Sequence, residues 1–379
     1  MTATTDTPAP RSAQMPYGRR RLLLGVTAVG STVVFALCAL TAGLPQFVQD
    51  TLGSWRAIAV FFGVFALFHA GFDLLGGYLL PRWSSRRHNR LSVYAPYLLR
   101  GIVVHTLALV LIGQIMLTAP SLMGRAGFVA AAAVAILILL TLRAPIAYGV
   151  GSVRRRRGTT DEGYSLADAE AAGFTGGVLG VFRPGPILVP IEWRERLTPN
   201  GFDAVVSRRL LAVTSGSWRR GRLAALLFTL SGVTVIALGV PAPMVGTASG
   251  VIAFSLMFTL WSFVGLLLLP SVSRAASHRL DQITIAAGIS RKDLTDATRT
   301  LDNLQDAEPQ RGRWIERVFH PIPSVERRMT SDASGDVVPG AWDTARTAIY
   351  LSWSGLSLVS RSVHCNCGRP ALWVFLPIE

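Results

Sequence analysis

The chain has 379 residues, half of them hydrophobic and only 16% charged, with a mean hydropathy of +0.42. A soluble globular domain carries about 25% charged residues, so an ordinary soluble enzyme is excluded as the whole account. The formal net charge of +15 does not imply nucleic-acid binding, because the arginines sit beside long apolar blocks and suit anionic lipid headgroups instead.

In chain order, residues 1–18 are polar, rich in Thr and Pro, and read as disordered. Six apolar blocks come next, at 21–43, 56–80, 97–118, 125–148, 222–239 and 247–269. Each approaches the roughly 20 residues that span a bilayer core as a helix. The first is too long for a signal-peptide core and has a poor cleavage site, so it reads as a first span. The last two are joined by "GVPAPMVG", which suits a tight turn between antiparallel helices. Four spans thus lie within 19–150 and a transmembrane hairpin within 222–270. Residues 151–221 and 271–379 form two further segments, expected to assemble into one small α+β domain. The predicted fold is a mainly α, polytopic membrane protein with six spans and that domain on one side.

Charge assigns the sidedness. With the N-terminus in the cytoplasm, Arg19–Arg21, Arg82, Arg86, Arg87, Arg90, Arg154–Arg157, Arg219 and Arg220 all fall inside. That obeys the positive-inside rule and puts both termini in the cytoplasm. Three cysteines, Cys38, Cys365 and Cys367, give no disulfide framework.

Within the first soluble segment, "GGVLGVFRPGPILVP" reads as a β-hairpin about a Pro/Gly turn. "LTPNGFDAVVSRRLLAV" then reads as a helix, with Thr198 as N-cap and Pro199 at its first position. A helical pattern covers 273–304, and "HPIPSVERR" holds a proline turn before another helix. "AWDTARTAIYLSWSGLSLVSRSV" reads as an amphipathic helix too polar to span, and "PALWVFLPI" as a terminal strand.

This order of elements, from a hairpin ending in "ILVP" through "EWRERLTPNGFDAVV", a transmembrane hairpin, "SRAASHRLDQITIAAG" and "HPIPSVERR", resembles the HtpX-like and CAAX-prenyl-protease-like membrane zinc metallopeptidases. The resemblance covers roughly 165–330. In that family the helix carries HExxH, two histidines for zinc and a glutamate that activates water, with a further glutamate four residues before an aspartate. Aligned on that pattern, Arg208 stands at the first histidine, Arg209 at the glutamate and Ala212 at the second histidine. Counting back from Asp281 puts Ser277 at the third ligand. Asp281 and the element containing His320, Pro321, Glu326 and Arg327 are retained. The resemblance therefore implies a degenerate frame with no catalytic residue and no zinc at the family site, since arginine does not deprotonate and cannot ligate.

The implied function is that of a catalytically inactive, metallopeptidase-like protein that binds or scaffolds a membrane protein or peptide, with strand addition at the 177–190 hairpin one route. Two alternatives stay open. One is a metalloenzyme using unusual His, Cys or Asp ligands. Here "HCNCGRP" offers His364, Cys365 and Cys367 for zinc or another metal, with His278 or His320 as a fourth ligand, or else two small residues at a tight turn. The other is a lipid- or small-molecule-handling protein built on His69, Asp73 and His105 within the spans, against a structural reading as a His–Asp hydrogen-bonded pair between adjacent helices. For Arg208 and Arg209 the choice lies between holding an anion and a structural role, Arg208 paired with Asp281 and Arg209 solvated.

Overall fold

The computed structural model describes residues 15–84, 90–156, 163–169, 173–180, 183–330, 340–363 and 369–375. Among them, five helices are long and apolar enough to cross a membrane, or six if one bent pair counts as a single span. The chain is a polytopic helical membrane protein with a small mixed sheet.

Helix α1 (Tyr17–Thr41) leads to a short helix α2 (Leu44–Leu52). Helix α3 (Ser54–Leu74) continues through a π turn (Leu75–Leu79) into α4 (Leu80–Trp83). Helix α5 (Leu91–Met123) returns, and a glycine turn hands over to α6 (Ala126–Thr141). A 54° bend separates α6 from the continuing Arg143–Val150 stretch, which begins with α7 (Arg143–Pro145). The bend is the work of Pro145, whose ring collides with the carbonyl four residues back and which has no N–H to give. Helices α10 (Ser217–Gly239) and α11 (Ala248–Ala286) form the second pair of spans.

Helix α11, at 39 residues, is about 58 Å long at 1.5 Å per residue and overshoots a bilayer core of roughly 30 Å. Its far end therefore belongs to the sheet-bearing part of the molecule. The spans meet along small residues. On α1, Ala28, Thr32, Ala36 and Ala39 are buried at near four-residue spacing, while Leu23, Val34 and Leu37 point outward. Small faces let helix backbones approach closely, and the outward leucines and valines meet lipid.

The sheet has four strands in the order β1-β2-β4-β3. Strand β1 (Arg154–Arg155) pairs antiparallel with β2 (Tyr164–Asp168), and β2 pairs parallel with β4 (Ile187–Pro190) with Tyr164 opposite Ile187. Strand β3 (Gly177–Val178) is antiparallel to β4, with Gly177 opposite Leu188, the hairpin expected from the Pro/Gly turn. Helices α8 (Ile191–Arg196) and α9 (Pro199–Thr214) come directly after β4. After α11 come α12 (Arg291–Gln305), α13 (Arg313–Phe319) and α14 (Val325–Thr330). The sheet and α9 share a core with Ala276, Leu280, Ala297, Leu301 and Trp342, so the segments on either side of the α10–α11 pair do pack together.

The C-terminal segment departs from the sequence expectation. The anticipated amphipathic helix is broken into α15 (Thr344–Leu351), a 3-10 turn (Ser352–Gly355) and α16 (Val359–Ser362). Leu356 between them is left-handed, at φ 61°. The anticipated terminal strand is instead one helical turn, α17 (Ala371–Val374). The reason is burial. This segment inserts among the spans instead of lying on a surface, and every residue from Thr344 to Val363 except Ile349 is buried.

Irregular backbone at membrane depth must find partners inside the protein. Ser255 Oγ donates to the Leu356 carbonyl at 2.7 Å, and Thr259 Oγ1 accepts the Leu358 N–H at 2.9 Å. Tyr350 Oη donates to the Leu139 carbonyl at 2.7 Å. Gly355 lies against the Phe258 ring, where a Cβ would collide with ring carbons. Side chains of α11 thus satisfy the backbone of this stretch, and its own Tyr350 fastens it to α6.

Candidate functional site

The helix singled out by the resemblance, α9, is capped as its sequence requires. Thr198 Oγ1 accepts the Gly201 N–H at 3.1 Å, with Pro199 in the first turn. Its inner face carries Phe202, Val205 and Ala212, and with them Arg208 and Arg209, which are 1% and 0% exposed. Two fully buried arginines in one helix call for fixed acceptors.

Arg208 finds them on α11. Its Nε lies 2.6 Å from Asp281 Oδ1, and a terminal nitrogen reaches the Ser277 carbonyl at 3.4 Å. Asp281 takes a second guanidinium from Arg328 of α14, bidentate, at 2.7 and 2.8 Å. The residues that the resemblance aligned do converge: Arg208 touches both Ser277 and Asp281, and Ala212 sits in the same core as Ala276 and Leu280. What converges is two cations, one carboxylate, a methyl group and a serine.

Arg209 is not solvated at the surface; this corrects the structural alternative considered for it. Its two terminal nitrogens donate to the carbonyls of Leu188, at 2.8 Å, and Thr175, and its guanidinium lies 4.5 Å from the centre of the Trp193 ring. It ties α9 to the sheet. Gly177 and Val178 of β3 are buried. They line a small cavity with Arg143, Asp343, Tyr350 and Phe375.

The retained element is structural in its contacts. Arg274 donates to the carbonyls of Glu316 and His320 at 2.8 and 2.7 Å, holding the turn that Pro321 begins. Arg327 pairs with Glu316 at 3.3 Å, and Glu326 accepts from Gln310. The His320 ring has no protein partner for its buried Nε2 among the described residues, and burial, aided by the Arg311 charge, pulls its pKa down to about 3.

Inside the bundle the His–Asp pair between adjacent helices does not form, since neither ring nitrogen of His105 has a hydrogen-bond partner among the described residues. His69 and Asp73 share a face of α3, yet each turns to a partner from elsewhere in the chain. His69 Nε2 meets Thr32 Oγ1 at 2.9 Å and Ser362 Oγ at 3.4 Å, and those two hydroxyls lie 2.7 Å apart. Asp73 pairs with Arg361 at 3.1 Å, both side chains being 1% exposed. His105 packs edge-on against Trp353, with ring centres 4.4 Å apart, and its two ring nitrogens have no hydrogen-bond partner among the described residues.

Arg361 is the residue that sequence reasoning missed. Its one signal was the need of an intramembrane aspartate for a cation, and the surrounding serines had placed the segment outside the membrane. His364, Cys365 and Cys367 lie outside the described residues. Among the described residues no group of three or more His, Cys, Asp or Glu side chains is arranged so that it could hold a metal ion.

No protein-family model matches the chain, and no curated protein matches it.

Proposed function

We propose that this protein is a non-catalytic integral membrane protein of metallopeptidase-like frame, whose work is to bind or scaffold a membrane protein or peptide. One observation carries the reading: the point where a zinc peptidase would gather imidazoles and carboxylates is closed by the Arg208–Asp281–Arg328 cluster. A guanidinium neither coordinates a metal nor takes a proton from water at neutral pH, and its charge opposes a dication. The Asp281 carboxylate is committed to two arginines. Arg209, at the position of the general base, is committed to two carbonyls. With both termini in the cytoplasm, as the arginine distribution favours, the sheet and helices α12–α14 face the cytoplasm and offer it their outer surface.

The test is metal analysis and proteolysis on the same preparation. The purified chain should retain no stoichiometric zinc through the 199–214 helix, and any peptidase activity should be unchanged in Arg208→Ala. Zinc lost specifically on substitution within that helix would end this reading.

A second reading, a ligand or proton site in the bundle, draws on one feature: His105, 1% exposed, with unmatched ring nitrogens near the Asp73–Arg361 pair. It requires an Asp73→Asn protein that is folded yet loses a transport or binding activity. A variant that merely loses stability favours the structural role.

A further inference from the structure

A cavity of about 60 Å³ opens at the sheet-bearing end, between the first turns of α1 and the helices α12 to α14. It has room for several waters at about 10–15 Å³ each. Four arginines line it, Arg21, Arg311, Arg328 and Arg346, with two carboxylates, Asp302 and Asp306. The ion pairs account for three of the four cations. Arg311 lies 3.3 Å from both Asp302 and Asp306, Arg21 lies 3.1 Å from Asp306, and Arg328 is held by Asp281.

Arg346 is the exception. It is 8% exposed, yet among the described residues it makes no hydrogen bond and no ion pair. It sits in the first turn of α15, where the helix dipole also disfavours a cation. Asp343 and Asp306 act on it through space, neither within ion-pair distance. A buried guanidinium with no direct ion pair costs several kcal/mol and suits a place where an anion can arrive to meet it.

Two further polar side chains border the same space, and His320 Nε2 donates in one of its two neutral tautomers. Gln305, 9% exposed, lines the cavity with a buried Nε2 that has no acceptor, and His320 lines it with a buried, unpartnered Nε2. A fork, an amide and an imidazole N–H arriving from different elements suit a ligand with several oxygens around one centre, better than the two coplanar oxygens of a carboxylate.

We propose that this cavity binds a phosphate group, with Arg346 as its charge partner and Gln305 and His320 as further donors. Its place suits two sources of that chemistry. Leu22 of the first span and Phe319 of α13 line it, and Trp314 and Phe319 are 75% and 42% exposed beside it, as side chains at a lipid–water boundary are. A lipid headgroup can therefore enter from the membrane, and a free phosphate ion from the water. The proposal does not depend on the domain being non-catalytic.

The experiment uses the full chain and its thermal unfolding midpoint, read by tryptophan fluorescence. One arm titrates inorganic phosphate against protein in phospholipid-free detergent, with acetate as the carboxylate control. The other compares nanodiscs of phosphatidylcholine with nanodiscs doped with phosphatidic acid. The expected result is a saturable rise in at least one arm. Stabilisation by phosphatidic acid alone names the headgroup; stabilisation by inorganic phosphate names the ion. Arg346→Gln should weaken the response by about tenfold to a hundredfold, the worth of one charge-assisted hydrogen bond.

Arg346→Met should unfold no earlier than wild type in phosphate-free detergent, because it removes a buried charge that has no partner there. Should Arg346→Gln not fold, Gln305→Ala keeps the charge, loses one donor and should weaken the response several-fold. The proposal is overturned by no saturable rise in either arm, by an equal rise with acetate, or by an undiminished response in the variant tested. It is also overturned if Arg346→Met and Asp343→Asn each lower the midpoint without any probe present, since Asp343 would then be the counter-ion.

Discussion

Arg361 and Asp73, 288 residues apart in the chain, form a buried ion pair at 3.1 Å between a membrane-spanning helix and the inserted C-terminal segment. The pair closes the contact by which that segment is held against α3, beside the Thr32–His69–Ser362 hydroxyl and imidazole cluster. Breaking it leaves one charge where no water reaches.

Asp73→Asn and Arg361→Gln should therefore each destabilise the folded protein by about 3–5 kcal/mol, the usual cost of orphaning a buried charge. The double variant should be more stable than either single one, because it buries two neutral polar groups able to bond each other. Unfolding in mixed micelles measures all four corners of the cycle. Additive losses would show that the two residues do not depend on each other.

Arg209→Lys should cost roughly 2–4 kcal/mol. Lysine keeps the charge but loses the planar fork that spans the Leu188 and Thr175 carbonyls and stacks on Trp193. Hydrogen exchange should rise in strands β3 and β4 before it rises in the spans. Unchanged exchange at residues 177–190 would mean that the arginine does not anchor the sheet.

Asp343 sets a pH dependence. Its Oδ1 is shut off from solvent without a donor, and Arg143, Arg346 and Arg209 act on it through space, while Thr347 lies within 3.4 Å of its Oδ2. Burial outweighs those cations and pushes its pKa up to about 6 from the ordinary value of 3.8. A raised carboxyl pKa stabilises the fold below the unfolded value, and that contribution is lost as pH rises through the folded value. Stability should fall by about 1–3 kcal/mol between roughly pH 4 and pH 6.5. Midpoints measured across that window for wild type and Asp343→Asn should show a slope in the first that the second lacks.

Restoring the ligands tests the frame itself. Arg208→His, Arg209→Glu, Ala212→His and Ser277→Glu together place two imidazoles and a carboxylate around one point, since residue 208 already reaches Ser277 and Asp281. The folded quadruple variant should retain about one zinc per chain by elemental analysis, more than the parent measured alongside it. A folded variant that leaves zinc in the flow-through would show that the four positions do not share a coordination geometry.

Local properties were legible without coordinates. The apolar blocks correspond to helices because hydropathy and length are read along the chain, and a span must satisfy its own backbone. The cap at Thr198, the β3–β4 hairpin and the pairing of Arg208 with Asp281 also came from short-range pattern and aligned spacing. The C-terminal segment did not. Its serines, threonines and Arg361 read as a polar surface, because hydropathy prices each side chain against lipid and cannot see a partner supplied by a distant helix. Asp73 is that partner for Arg361, and Thr32 and His69 are for Ser362, while Ser255 and Thr259 hold the backbone at Leu356 and Leu358. Arg209 escaped for the same reason: only the packed sheet brings two carbonyls and an indole within its reach. Secondary structure and membrane insertion are decided by each residue's own solvation, whereas the burial of a charge is decided by what the tertiary fold sets beside it.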